Sequence, residues 1–271
     1  MIMRMNMEEN KAPELEVLVS AVDQNTTTLA AAMNLQCDAI IVNQCNEFAY
    51  SEYNYRTHLI RCFHCNERGV GKSRNITITH AKADIILFSD EDILYREGYK
   101  EDVIKEFASH PEADMILFNI KQSEGRETYY NKNYGRVRWY NYGRYPAYSI
   151  AVRRDKLLRS GVTFSQLFGG GARYSNGEDS LFLKQCLDKR MRIYRTNVTL
   201  GKEIQRKSTW FEGYTYKFFY DRGVLYHYLY GCMALVFGFR FIYKNRGQMV
   251  KDKTFIECFK IFANGVKNAE K

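Results

Sequence analysis

Three carboxylates, Asp90, Glu91 and Asp92, come directly after a mostly apolar, β-rich run at residues 84–88. Such a run predicts a buried strand, so the three acids are expected at its carboxyl end. Neighbouring carboxylates repel one another unless a cation lies between them, and their oxygens suit Mg²⁺ or Mn²⁺. The cluster therefore favours a divalent metal site that bridges the phosphates of a nucleotide. The alternative is helix capping, which needs fewer acids than three.

A second acid pair, Glu178 and Asp179, stands where a glycine-rich segment meets a predicted helix over 179–190. The segment 169–177 contains four glycines, among them Gly170 and Gly171. Glycines let a backbone approach a ligand closely, and acids at a helix start satisfy its free amides. Capping explains one of the two acids. The sequence therefore predicts a ligand-facing loop that ends in a carboxylate.

The segment 66–73 ends in Gly71, Lys72 and Ser73, which copy the last residues of a phosphate-binding P-loop. The first glycine that a P-loop requires is replaced by Asn66, which argues against an NTPase site. Glycines before a helix, followed by Lys72 and Arg74, still predict a phosphate contact at the helix N-terminus.

Short apolar strands alternate with helices through the first half of the chain. The predicted strands cover 15–20, 39–43, 59–63, 84–88 and 113–118, and the predicted helices cover 26–36, 72–83 and 100–109. This alternation predicts an α/β fold with a mostly parallel sheet and helices on both faces. Ligands bind at the carboxyl ends of such strands, where Asn43, Gln44 and the acids at 90–92 are expected to share a cleft.

Composition and charge limit the classes of protein to which the chain can belong. It has 271 residues, 45% of them hydrophobic, which excludes a mostly disordered chain. Its net charge of +9 favours nucleic acid, nucleotide phosphates or an anionic membrane surface as a partner. Seven cysteines without recurring paired spacing, and an N-terminus without an apolar signal segment, indicate a reduced, cytoplasmic protein. We expect residues 1–14 to be flexible.

Two aromatic regions leave alternatives open. Tyrosines and arginines interleave over 122–148, a pattern that suits stacking on sugars or bases but also a packed hairpin with solvated arginines. Residues 224–239 form a sixteen-residue, nearly apolar run that is short for a membrane span. Basic residues flank this run, which favours a helix on an anionic membrane surface over a buried C-terminal helix.

Taken together, these segments resemble a bacterial family-2 glycosyltransferase with the GT-A fold, of the capsular or exopolysaccharide kind. The resemblance extends over residues 15–225 and is carried by segments at 67–75, 85–93, 168–171, 175–179 and 208–213. It implies a Rossmann-like GT-A domain over 15–215, with a donor half at 15–120 and an acceptor half at 121–215. An aromatic and basic helical C-terminal region at 216–271 would follow, and its own composition is what favours attachment to the membrane surface.

The resemblance also implies a role for each matching residue. Asp90 and Asp92 would hold the divalent metal, Mn²⁺ or Mg²⁺, and Asp179 would be the general base of an inverting enzyme. The donor nucleotide would be contacted by Asn43, Gln44, Lys72, Arg74 and Asp90, and the acceptor side would include Gly170, Gly171 and Glu178. Three features depart from the family pattern: the first strand lacks the usual Pro-x-Tyr-Asn start, the second ends in Asn43 and Gln44 rather than an Asp, and residues 205–207 contain no histidine.

The leading hypothesis is a hexosyltransferase-type enzyme of cell-surface polysaccharide synthesis. It would use a nucleotide-sugar donor, with a UDP-sugar favoured, and a glycan or lipid-linked saccharide acceptor, at the inner face of the cell membrane. No nucleic-acid partner is expected under this hypothesis. Two alternatives remain open: a GT-A-like protein that binds nucleotide-sugars without catalysis, and a basic nucleic-acid-binding protein.

Overall fold

The computed structural model describes residues 13–122, 129–204, 213–250 and 253–269. Residues 205–212 lie outside these ranges and include most of the 208–213 segment and the site of the expected histidine. Within the described ranges the strands are β1 Leu15–Val22, β2 Asp38–Gln44, β3 Ala49–Tyr55, β4 His58–Cys65, β5 Ile85–Asp90, β6 Ile93–Tyr95, β7 Met115–Lys121, β8 Gly135–Arg136, β9 Ile150–Arg153 and β10 Ile193–Glu203. The α-helices are α1 Thr26–Ala32, α2 Val70–His80, α3 Tyr99–Ser109, α4 Arg154–Ser160, α5 Glu178–Asp188, α6 Tyr216–Tyr230, α7 Ala234–Lys244, α8 Arg246–Met249 and α9 Phe255–Lys267.

The strands form one mixed sheet in the order β3-β4-β2-β1-β5-β9-β7-β10-β6, and β8 pairs with β10. Strands β4, β2, β1 and β5 run parallel, as do β7 and β10. Strand β9 lies antiparallel between β5 and β7. The predicted α/β fold with a mostly parallel central sheet and a helical C-terminal region is confirmed, and all five predicted strands are present.

The central strands are continuous apolar runs because both faces of the sheet are covered. Successive side chains of β1 point to opposite faces, so Leu18 joins the core on one side and Val17 and Val19 join the core on the other. The tyrosines of the 122–148 region divide between core and surface: Tyr129, Tyr142 and Tyr145 are buried in the first of these cores.

Parallel pairing brings the ends of three strands to one edge of the sheet. Ser20 of β1 is in register with Asp90 of β5, and Ala21 of β1 is in register with Asn43 of β2. Helix α2 begins at the same edge, two residues before its predicted start. A Cβ at Gly71 would lie 2.1 Å from the carbonyl oxygen of Ser165, so α2 can occupy this position only with glycine there.

The C-terminal helices α6, α7 and α9 pack around their own apolar cluster, which includes Phe219, Ile242 and Phe262. Helices α6 and α9 approach closely at Gly223 and Gly265, where a Cβ would lie 2.1 Å from a backbone oxygen of the other helix. The apolar run 224–239 extends across α6, a 3₁₀ turn and α7. The stretch Tyr216–Lys244 is long and apolar enough to cross a membrane, and 33% of its most apolar 18-residue part is buried. The core helix of a soluble protein can have the same length and composition.

Candidate active site

One buried arginine holds three carboxylates together. Arg74 lies on α2, and its side chain is only 4% exposed. Its Nη2 donates to Asp90 Oδ1 at 3.0 Å, and its Nη1 donates to Asp179 Oδ1 at 2.8 Å and to Glu178 Oε1 at 3.1 Å. The guanidinium therefore joins the carboxyl end of β5 to the first turn of α5. The two acid groups singled out from the sequence meet at this single side chain.

The crowding of acids around Arg74 shifts the pKa of Asp179. Burial, reinforced by the neighbouring charges of Glu178 and Asp90, raises the pKa of Asp179 to about 8, although Arg74 opposes the shift. Burial alone would lower the pKa of Arg74, but its three carboxylate neighbours outweigh that effect and raise it. A carboxylate whose pKa lies near neutral pH is suited to accept a proton during a reaction.

Glycines allow the loop before α5 to pack against these acids. Gly169 has a φ of +106°, and a Cβ there would lie 2.8 Å from Cδ of Glu178. Gly177 has a φ of +117°, and a Cβ there would lie 2.4 Å from Cδ1 of Leu225 on α6. The carbonyl oxygen of Gly170 accepts a hydrogen bond from the backbone N–H of Val70 at 2.9 Å, which ties this loop to the start of α2.

A narrow cleft of about 220 Å³ opens at the carboxyl ends of β1, β2 and β5. Its lining residues are Ser20, Val22, Gln44, Val70, Arg74, Asp90, Glu91, Asp92, Gly170 and Glu178. The acid cluster at 90–92, Arg74 and Gln44 thus share one cleft. The side chain of Asp90 keeps 32% exposure there. Clustered carboxylate oxygens fit Mg²⁺ or Mn²⁺, so Asp90 and Asp92 are suited to hold such an ion.

The remaining predicted donor-side residues lie in different surroundings. The Gln44 side chain accepts a hydrogen bond from the backbone N–H of Gly69 at 2.7 Å, which fixes it at the cleft wall. Asn43 is buried, and its side-chain amide binds the backbone N–H and carbonyl of Gln24. Lys72 is not brought to the cleft: its Nζ pairs with Glu67 at 2.9 Å beside a separate surface depression.

A wide cleft of about 920 Å³ lies on the other side of the acid pair, between α5 and the C-terminal helices. Besides Glu178 and Asp179, its lining includes Arg144, Tyr145, Tyr148, Arg222, Tyr226, Tyr230, Phe237, Arg240, Phe241 and Lys244. Glu178 lines both clefts, so the acid pair stands at their junction. Of the residues predicted for the acceptor side, Glu178 lines the wide cleft, Gly170 lines the narrow one, and Gly171 packs against Gly69.

Sequence reasoning missed the aromatic and basic residues of α6 and α7 that line the wide cleft. It predicted attachment of this region to the membrane surface and named none of its residues as site residues, although α6 and α7 form one wall of the cleft. The interleaving of Tyr226, Tyr230, Arg222 and Arg240 was the available signal, but only the packing of α6 beside α5 places these residues near Asp179.

A second group of metal-binding side chains lies away from both clefts. Ligand atoms of Cys45, Glu47 and His64 lie within 4.8 Å of one another, with Cys45 Sγ 3.7 Å from His64 Nδ1. Sulfur and imidazole suit Zn²⁺ better than Mg²⁺. This group forms at the carboxyl ends of β2 and β4: Cys45 and Glu47 follow β2, and His64 is the second-last residue of β4. Its members are not among the residues predicted to bind metal.

Comparison with known proteins agrees with this arrangement. The profile described as glycosyl transferase family 2 matches residues 14–167, more than half of the chain. Among solved structures, S. aureus TarS 1–349 in complex with UDP-GlcNAc is 13% identical, with a TM-score of 0.63 over 93% of this chain and 81% of that chain. The complex of TarS 1–349 with UDP is 14% identical, with a TM-score of 0.57 over 86% and 72%. TarS 1–349 in a third structure is 14% identical, with a TM-score of 0.55 over 93% and 70%.

At these identities the structural likeness shows a shared fold, of the GT-A type. No curated protein matches the chain. The profile match covers the segment that carries β1 to β7, the acids at 90–92 and Arg74. The chain therefore belongs to glycosyltransferase family 2 and is a glycosyltransferase.

Proposed function

We propose that this enzyme transfers a hexose-type sugar from a nucleotide-sugar, with a UDP-sugar favoured, to a glycan or lipid-linked saccharide, with inversion at the anomeric carbon. The observation that carries the proposal is the position of the acid pair where two clefts meet: Glu178 lines both clefts, and Asp179 lines the wide one beside it. One cleft contains the acid cluster at 90–92, and the other is large and rich in aromatic side chains. Such an arrangement suits a donor on one side and an acceptor on the other.

The narrow cleft is proposed as the donor site. The TarS structures that share this fold hold UDP and UDP-GlcNAc, which supports a uridine nucleotide here. Asp90 and Asp92 would hold Mg²⁺ or Mn²⁺, and such an ion, when bound, offsets the charge of the leaving diphosphate. Gln44 lines the same cleft. Asn43 and Lys72 stay as predicted donor contacts that a ligand-bound structure would test.

Asp179 is proposed as the general base. Its carboxylate takes the proton from the acceptor hydroxyl while that oxygen forms a bond to the anomeric carbon of the donor sugar. The bond from that carbon to the diphosphate oxygen breaks on the opposite face, and its electrons leave with the nucleoside diphosphate. Arg74 donates from Nη1 to Asp179 Oδ1 at 2.8 Å and from Nη2 to Asp90 Oδ1 at 3.0 Å. One side chain therefore fixes the position of the base relative to the donor site.

Attachment to an anionic membrane surface is proposed for α7. Leu235, Val236 and Phe239 are 44–58% exposed, and Arg240 and Lys244 lie on the same helix. Exposed apolar side chains beside cations suit a helix that lies in the headgroup region of the inner leaflet. A location there would supply lipid-linked acceptors for capsular or other cell-surface polysaccharide synthesis.

Vesicle co-sedimentation tests this attachment. We expect binding to phosphatidylglycerol vesicles but not to phosphatidylcholine vesicles, and Val236→Asp should weaken binding about fivefold or more. Leu158→Asp is the matched control, because Leu158 is 48% exposed on α4, away from this helix. Equal binding by both variants, or no binding to phosphatidylglycerol vesicles, would contradict the proposal.

The transfer reaction is tested with Asp179→Asn. Nucleoside diphosphate release is measured with UDP, GDP, dTDP and CMP sugars and a panel of saccharide acceptors, and donor binding is followed by thermal shift. We expect transfer to fall about a hundredfold or more, because a general base contributes at least that much, while the donor-induced shift in melting temperature remains. Asp188→Asn, at the exposed end of α5, should behave as the wild type.

Two results would decide against this assignment. Full transfer by Asp179→Asn would show that another group removes the proton. Donor binding without turnover of any acceptor would favour the alternative of a non-catalytic nucleotide-sugar-binding protein.

A further inference from the structure

Arg222 is a half-buried cation in the wall of the wide cleft. It lies on α6, and its guanidinium carbon is 5.3 Å from the ring centroids of both Phe218 and Phe241. Its Nε is buried without a hydrogen-bond partner, and among the described residues no carboxylate forms an ion pair with it. The adjacent acid, Asp221, is paired instead with Lys217 at 2.6 Å. Arg222 therefore lacks a negatively charged partner within this part of the chain.

Keeping even part of an unpaired cation, here Nε of Arg222, away from water is costly. Burial lowers the pKa of Arg222, which reflects this cost. Cation–π contacts with the rings of Phe218 and Phe241 offset part of this cost. The rings have no oxygen atom that could accept a hydrogen bond from the guanidinium N–H groups. An anion in the cleft would supply the missing acceptors, since the planar guanidinium binds phosphate or carboxylate oxygens in pairs.

The rest of the wide cleft is also lined by cations. Three more cations line it: Arg144, Arg240 and Lys244. The carboxylates that line it, Glu178 and Asp179, lie together at the junction, where both are already bound by Arg74. Tyrosine side chains between the cations offer faces on which sugar rings stack. Cations beside aromatic faces suit a ligand that is both a saccharide and an anion.

We propose that the wide cleft binds an acceptor glycan that carries phosphate, and that Arg222 binds this phosphate. The inference rests on the proposed transferase function, because it places the acceptor hydroxyl at Asp179. Phosphate of this kind has two sources: a phosphodiester within a glycan, or the diphosphate that joins a glycan to a lipid. Both present the same oxygens to Arg222, and the test separates them.

Binding is measured by isothermal titration calorimetry with dextran phosphate, geranyl diphosphate and unmodified dextran. EDTA in the buffer removes divalent metal, so that no metal holds a diphosphate in the narrow cleft. Arg222→Met removes the charge while retaining an apolar side chain between Phe218 and Phe241. Arg159→Met is the matched control, because Arg159 is 76% exposed on α4 and lines neither cleft.

We expect at least one phosphate probe to bind the wild type about tenfold or more tightly than Arg222→Met, as for a charge-assisted hydrogen bond. Arg159→Met should stay within about twofold of the wild type, as expected for an exposed charge. The phosphate probe whose binding depends on Arg222 identifies the source of the phosphate. Equal binding of both phosphate probes to the wild type and Arg222→Met would overturn the proposal. The proposal would also be overturned if neither dextran phosphate nor geranyl diphosphate bound the wild type more tightly than unmodified dextran does.

Thermal shift with UDP-GlcNAc and Mn²⁺ separates this inference from the proposed function. Arg222→Met should keep the donor-induced shift, since Arg222 does not line the narrow cleft. If no nucleotide-sugar shifts even the wild type, the transferase proposal fails. In that case the calorimetry still decides whether Arg222 binds phosphate.

Discussion

The two clefts differ most in the arginine that each contains. Arg74 has three carboxylate oxygens within 3.1 Å of its terminal nitrogens. Arg222 instead packs against two aromatic rings without an acidic partner in the described ranges. The Nε of each arginine is buried without a hydrogen-bond partner, so the difference lies in the terminal nitrogens. A paired guanidinium fixes the positions of its partners, and an unpaired one keeps its donors for a ligand. The narrow cleft is therefore preorganised by the protein itself, while the wide cleft needs its ligand to complete its charge pairing.

This difference matches the two tasks of a transferase. The reacting groups must be held in fixed geometry before chemistry, because small misplacements of reactive groups reduce rates strongly. Recognition of the acceptor instead depends on groups that gain their partners only when the correct ligand arrives. The same residue type thus performs a positioning role at one site and a proposed recognition role at the other.

The largest effect on stability is expected for Arg74→Met. Removing this guanidinium leaves three carboxylates together without a cation, which should cost about 3 kcal/mol of unfolding free energy. That figure is at the low end for buried pairs, because Asp90 and Asp179 keep 32% and 23% side-chain exposure. Arg222→Met should stay within about 1 kcal/mol of the wild type or become more stable, because no ion pair is lost.

Urea unfolding of both variants measures this contrast. If Arg74→Met and Arg222→Met lowered the free energy of unfolding by similar amounts, Arg222 would have a structural partner. The distinction between the two clefts would then fail.

Much of the fold was accessible from the sequence, and the reasons are specific. Strands β1, β2, β5 and β7 are continuous apolar runs, which only a sheet covered on both faces produces. Strand β3 was missed because its sequence, AYSEYNY, belongs to an exposed sheet edge, and β9 was missed because it has only four residues. Pairing of β9 between β5 and β7 is set by long-range packing that local patterns do not encode.

The site, too, contains residues that the sequence predicts and residues that it does not. Asp90, Asp179 and Arg74 stand out through their neighbours in sequence, and the family resemblance names all three. Their contact does not follow from spacing, since Arg74 and Asp179 are 105 residues apart. Arg222 was missed as a site residue, because its significance depends on the packing of α6 beside α5 and on the absence of a nearby acid among the described residues.

A smaller effect is expected in the pH dependence of transfer. The deprotonated carboxylate of Asp179 is the active form, and the pKa of this group is raised to about 8. The value of kcat/KM should therefore rise about tenfold per pH unit below that point and level off above it. Glu178→Gln removes a neighbouring negative charge, so it should lower the pKa of Asp179 and move the midpoint to lower pH.

Initial rates between pH 6 and 9 measure this profile. Asp188→Asn provides the control, since removing the negative charge of Asp188 should leave the midpoint of the pH profile unchanged. A profile without a rise over this range would contradict the assignment of Asp179 as the base.

The most direct test of the central claim is a crystal structure of the protein with UDP-GlcNAc and Mn²⁺. The claim is that the donor occupies the narrow cleft and that its anomeric carbon faces the wide cleft across Asp179. We expect the diphosphate beside Asp90 and Asp92, with the sugar at the junction and the wide cleft open to an acceptor. A nucleotide bound in the wide cleft, with its diphosphate on Arg222, would contradict this account.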